Sequence, residues 1–200
     1  MSSTQRTSIV KNVLVTTAGK YGEFLLGLIS SAIIARSLGP AEYGIYAYII
    51  WICGWLIRLS NISIPTTVMR FVAECRGADQ YEEGKRLTRK LAHRQTITTL
   101  IVCTSFLIAS HFYQPETLKS QPKLIFIFVC IAVFFKARYM FMVAFAKGNE
   151  RFDLEAISSF IVGVVGTILV CLLAFYNQPT SSFVIAYTIA SFLLALVLWI

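Results

Sequence analysis

The chain has 200 residues, of which 56% are hydrophobic and only 14% charged, against roughly 25% charged in an ordinary soluble domain. Lys and Arg number 18 against 10 Asp and Glu, a net charge of +8. These figures exclude a disordered chain, a nucleic-acid-binding module and a small disulfide scaffold; so much apolar surface must face lipid, where about 20 residues make one helical span.

Met1 to Asn12 is polar, with Arg6 and Lys11 and no acid. Lys20 and Glu23 interrupt the apolar run that follows and no A-x-A site appears, so the segment opens a retained helix rather than a cleaved signal. The first predicted span is 13–38, ended by Ser37-Leu38-Gly39-Pro40. The second is 41–59. Beyond it, Ser60-Asn61-Ile62-Ser63-Ile64-Pro65 allows two readings: the span ends near Leu59, or it kinks and continues towards Met69.

Residues 70–94 form a cytoplasmic amphipathic segment, with a turn at Gly77-Ala78-Asp79 and i,i+4 pairs such as Glu82–Arg86. The other predicted spans are 95–112, 123–146, 154–176 and 183–200. A loop holding Pro115 and Pro122, the polar run Lys147 to Asp153, and Asn177 to Ser182 connect them. The expected fold class is all-α: a polytopic membrane protein with one six-helix lobe over 1–200.

With the N-terminus inside, twelve basic residues fall on the cytoplasmic side and three outside (Arg36, Lys119 and Lys123). The positive-inside rule therefore predicts both termini in the cytoplasm. The abrupt apolar end at Leu198-Trp199-Ile200 is read as the cut of a longer transporter. The five cysteines are widely spaced and odd in number, with no C-x-x-C, and are read as small apolar packers.

Ionisable groups inside spans carry the functional signal, because they normally face a bundle interior or a wet cavity. On the first span Thr16, Lys20, Glu23, Gly27 and Ser30 share one helical face. Lys20 and Glu23 either serve an ion-coupling site or pair and snorkel at the interface. On the second, Tyr48, Trp51, Trp55 and Arg58 make an aromatic stripe ending in a cation. Such a stripe either stacks on a sugar-phosphate headgroup or simply packs. On the fourth, Lys136 and Arg138 lie near the midplane with no acid in the same span; they either pair with Glu23 or await an anionic substrate. Ser159, Gly163 and Gly166 signal close helix packing. No nucleophile elbow, H-E-x-x-H, P-loop or dinucleotide motif occurs, so an enzyme, a metal site and a cofactor are not expected.

The stretch Ile33-Ile34-Ala35-Arg36-Ser37-Leu38-Gly39-Pro40-Ala41-Glu42-Tyr43-Gly44-Ile45-Tyr46 resembles the first helical junction of polysaccharide-biosynthesis flippases. These are lipid-linked oligosaccharide exporters (O-antigen-type) of the MATE-like superfamily. Lys11-Asn12, Arg70-Phe71-Val72-Ala73-Glu74 and Gly148-Asn149-Glu150-Arg151-Phe152 follow in the family's order. The resemblance implies the N-terminal lobe of a two-lobed transporter in the cytoplasmic (inner) membrane. It implies polyprenyl-pyrophosphate-linked oligosaccharide as cargo, moved by alternating access and an ion gradient. Lys136, Arg138, Arg58, Trp51 and Trp55 are the candidate substrate-binding residues, and Glu23 with Lys20 the candidate coupling site. Membrane lipid, and the glycan polymerase and glycosyltransferases of the same pathway, are the implied partners; nucleic acid is not. The alternatives are a cation-coupled drug exporter of the same superfamily and a non-catalytic membrane scaffold or fragment.

Overall fold

The computed structural model describes residues 3–113, 118 and 122–199, and side chains for 17–113, 118 and 122–198. Lys119 and Pro115, expected in an outer loop, lie outside the described residues, as do the side chains of Arg6, Lys11 and Thr16. Among the described residues six helices follow one another: α1 (Ser3–Asn61), α2 (Ile64–Gly77), α3 (Tyr81–Phe112), α4 (Leu124–Gly148), α5 (Asp153–Phe175) and α6 (Thr180–Trp199). There is no strand among the described residues. Five helical segments are long and apolar enough to cross a membrane, with mean hydropathies from 1.3 to 2.5. The protein is an all-α polytopic membrane protein.

Helix α1 is a hairpin of two arms. Gly39 sits at φ 74°, ψ 173°, between a first arm (3–38) and a second (40–61). That backbone region belongs to glycine alone, and Pro40 suits the first turn of the arm that follows. The Ser31 and Tyr43 hydroxyls are 2.7 Å apart, whereas twelve residues of straight helix would separate them by about 18 Å. The chain therefore reverses at Gly39, and α1 supplies two membrane-length arms.

At the far end of the second arm, the helix breaks and resumes. Ser63 takes a left-handed conformation (φ 62°), and Pro65 falls in the first turn of α2. In the segment 70–94 the turn read at Gly77-Ala78-Asp79 separates the end of α2 at Gly77 from the start of α3 at Tyr81. Helix α3 runs unbroken for 32 residues, so the predicted third span and its basic leader are one rod. Nothing between Tyr81 and Phe112 stops a helix, since Gly84 alone is tolerated.

Helix α4 is the hub. Ile49, Cys53 and Leu56 of the second arm meet Val129, Cys130 and Val133 of α4, with Cys103 of α3 and Val184 of α6. Val68 and Val72 of α2 meet Phe141 and Ala144. Tyr139 and Val143 meet Val162 of α5 and Leu194 of α6. The first arm lies instead on α5. A Cβ on Gly19 would stand 2.6 Å from the Ala156 Cβ, and one on Gly163 would meet Leu26 at 3.1 Å, the close approach expected of small residues between membrane helices. Cys53, Cys103 and Cys130 are buried free thiols, with the Cys103 and Cys130 thiols each donating to the other's backbone carbonyl at 3.8 Å; Cys75 is half-buried and Cys171 exposed.

Candidate functional site

Lys136 is the central residue of α4, twelve positions from each end of Leu124–Gly148, or about 18 Å by helical rise. Its Nζ stands 5.3 Å from the centre of the Tyr139 ring. The Glu23 carboxylate, on the first arm, is near enough to act electrostatically on Lys136 and on the Tyr139 hydroxyl. The structure thus brings Lys136 and Glu23 into one neighbourhood from two helices. Lys20 is exposed one turn before Glu23, and no ion pair joins the two among the described residues. The upper part of the same stripe turns inward: Ser30 is 3.0 Å from the Thr167 hydroxyl of α5.

Trp51 and Trp55 are exposed, 59% and 47%, and form a continuous ladder with Tyr48. Tyr48 stacks on Trp51 at 5.9 Å, Trp51 meets Trp55 edge-on at 6.0 Å, and the Arg58 guanidinium lies 5.4 Å over Trp55. The stripe lies on the exposed face of the arm. The opposite face of the arm, Ile49, Cys53, Leu56 and Ile57, is the buried one.

The second arm and α4 run in the same direction, for Cys53 shares a core with Val129 and Cys130 and Asn61 donates to the Met140 sulfur at 3.3 Å. One turn back from that contact on each helix are Arg58 and Lys136. The two cations therefore sit at one depth. Below Lys136 on the same face come Met140, Val143 and Lys147, and these line a cavity of about 240 Å³ with Pro65, Thr66 and Glu155. At its floor Lys147 Nζ is 2.7 Å from Glu155 Oε2, both side chains about one-fifth exposed. Tyr139 reaches the Ser158 hydroxyl at 3.3 Å.

Arg138 is elsewhere. At about 100° per residue it points some 160° away from Lys136, and it lies 5.6 Å over Phe141 in a groove with Thr96, Phe134, Phe135 and Phe192. Lys136 and Arg138 thus face different sides of α4, as their spacing of two implies.

The polysaccharide biosynthesis protein family model matches residues 9–200. The chain belongs to that family. No curated protein and no solved structure matches it.

As a multi-pass membrane protein of this family, the chain holds several polar contacts between its helices. Two sets of these were not foreseen. Gln95 is 2% exposed; its amide donates to Asn61 Oδ1 at 2.6 Å and to the Ala137 carbonyl at 2.9 Å, fastening α3, α4 and the end of the second arm. Gln95 reads as a span boundary, but its spacing of four with Leu91, Thr99 and Cys103 marks a buried face. The Lys147–Glu155 pair closes the short α4–α5 turn. Its signal is two opposite charges eight residues apart across Gly148-Asn149.

Proposed function

We propose that the protein flips a polyprenyl-pyrophosphate-linked oligosaccharide across the cytoplasmic membrane by alternating access, as a single six-crossing lobe of a MATE-like transporter with both termini in the cytoplasm. The observation that carries this reading is the exposed ladder Tyr48–Trp51–Trp55–Arg58, whose cation lies at the depth of Lys136; the reading puts the cargo in a cleft between the arms of α1. A pyrophosphate crosses lipid only if fixed charge replaces its water; Lys136 and Arg58 are cations at that depth. Flat indole faces suit the apolar faces of sugar rings. Glu23, beside Lys136, takes the role of coupling carboxylate. It is free to bind a proton or Na⁺ only in a state that separates it from the lysine, as coupling to a conformational change requires; Lys20 biases that equilibrium from one turn away. The cationic cleft favours an anionic cargo over the cationic drugs of the alternative reading, since of the acids near it Glu155 is paired with Lys147 and Glu23 remains.

Two expected results test this. Expressed in a bacterium lacking its own exporter, the gene restores surface glycan, and Trp51→Ala/Trp55→Ala lowers that recovery about tenfold with protein still in the membrane; full recovery by the double variant removes the ladder from the cargo path. Reporter fusions after Gln178 and after Gly77 read outside and inside respectively, and the reverse pattern rejects the orientation.

A further inference from the structure

We propose that Lys147 and Glu155 form the latch of an entry site for the pyrophosphate head: in the cavity between α2, α4 and α5, the incoming anion takes Lys147 over from Glu155. The proposal rests on the flippase reading for what arrives and where it goes next. The chemistry of the site, a phosphate anion exchanged against a carboxylate, stands on the geometry.

The pair is unlike the ion pairs on the surface. Lys147 Nζ and Glu155 Oε2 are 2.7 Å apart with about one-fifth of each side chain exposed, whereas in Arg70–Glu74 and Arg76–Glu150 every side chain is at least 41% exposed. Helix-end electrostatics explain the residue types, since Lys147 lies in the last turn of α4 and Glu155 in the first turn of α5. They do not explain the space beside the pair. The cavity of about 240 Å³ would hold about eight waters at roughly 30 Å³ each, room for a phosphate group and part of its hydration. Met69 and Met140, both more than one-third exposed, stand in its wall, and their unbranched thioethers adapt to what enters.

Charge drives the exchange. The lysine ammonium is a point cation with three donors, and it binds phosphate as well as carboxylate. While Glu155 holds it, the pair is neutral and attracts an anion weakly. A pyrophosphate carries more than one negative charge and displaces the single carboxylate. Glu155, once released, keeps the favourable field of the α5 N-terminus. Position then sets the order of contacts. Lys147 is eleven residues beyond Lys136 on the same face of α4, about 16 Å by helical rise, at the Gly148 end. In the proposed orientation that end is cytoplasmic, so an anion meets Lys147 first and reaches Lys136 along one face of one helix.

The test is calorimetric titration of the purified full chain in detergent with inorganic pyrophosphate, free of magnesium. We expect Glu155→Gln to tighten binding about tenfold or more, because it releases Lys147 and removes a like charge from the anion's side. A gain of affinity cannot come from misfolding. Adding Lys147→Gln to Glu155→Gln abolishes the gain, and adding Lys136→Gln leaves it in place. Glu74→Gln, which frees an arginine from an exposed pair, leaves the affinity unchanged. If Glu155→Gln does not accumulate, Glu155→Asp withdraws the carboxylate by one methylene and gives a smaller gain. Unchanged or weaker binding by both Glu155 variants overturns the proposal. So does a gain that survives loss of Lys147, one that disappears with Lys136→Gln, or an equal gain from Glu74→Gln. The titration needs no transport. The expected order of affinities in a chain that fails to restore surface glycan rejects the flippase reading and keeps the site; restored glycan with no gain from Glu155→Gln or Glu155→Asp rejects the latch alone.

Discussion

Lys136→Gln is expected to lower surface-glycan export about 30-fold or more while the protein remains in the membrane at near-normal amount. The magnitude follows from losing one partner of a desolvated charge pair, about 2 kcal/mol at the low end, or roughly one and a half decades in rate. The alternative is that Lys136 serves only to neutralise Glu23. A double substitution separates the two. If the lysine is a structural counter-ion, Glu23→Gln in the Lys136→Gln background removes the carboxylate left without its partner and restores both protein level and export. If Lys136 meets the cargo pyrophosphate, the double variant stays inactive although its stability recovers. Arg138→Gln supplies the contrast: it removes a cation of similar depth from the other side of α4 and is expected to change export less than threefold. Loss of export by Arg138→Gln equal to that of Lys136→Gln would mean that the cargo path is not the cleft between the arms of α1.

Much of this arrangement can be read from residues, and the exceptions have physical causes. Runs without charge fix where helices cross lipid, and Gly39-Pro40 fixes where the first one turns back, because both depend on local chemistry. The depth of Lys136 is a matter of counting from Lys123 and Lys147. What lies beside it is not local. The neighbourhood of Glu23 and Lys136 joins residues far apart in the chain, and it forms only because Gly19 lets the first arm lie close against Ala156. The Gln95–Asn61 bond is hidden for the same reason. A glutamine at the polar edge of an apolar run looks like a boundary until another helix covers it. The break at Asn61–Ser63 stayed open between an end and a kink because Pro65 is compatible with both; burial of Val68 and Val72 against α4 decides for continuation. That Lys136 and Arg138 point to different faces is legible from their spacing alone, because helical geometry turns neighbours two apart to nearly opposite sides.

Gly39→Val is expected to reduce the folded protein several-fold and to lower its thermal midpoint in detergent. Gly39 has open space around it, so steric clash with neighbours is not the reason. The reason is the backbone: at φ 74° and ψ 173° a Cβ strains its own chain, at about 1–3 kcal/mol, and a β-branched residue lies at the upper end. That strain acts where the two arms of α1 are joined. The Ser31–Tyr43 contact and the packing of Ile34 against Phe183 and Val170 exist only if the reversal is complete. Relief of the strain would straighten the junction towards a single rod, pulling Tyr43 from Ser31 and uncovering Ile34. Gly44→Ala is the matched control. It lies in the regular helix of the second arm, also with open space, where alanine is favoured over glycine by up to about 1 kcal/mol; it should be neutral or stabilising. Equal midpoints for the two variants would show that the reversal is held by the packing of the arms and not by the conformation of Gly39. Because the cleft is bounded by those arms, Gly39→Val should also lose export in proportion to folded protein, whereas Lys136→Gln loses it per molecule, and the ratio of export to membrane protein distinguishes the two.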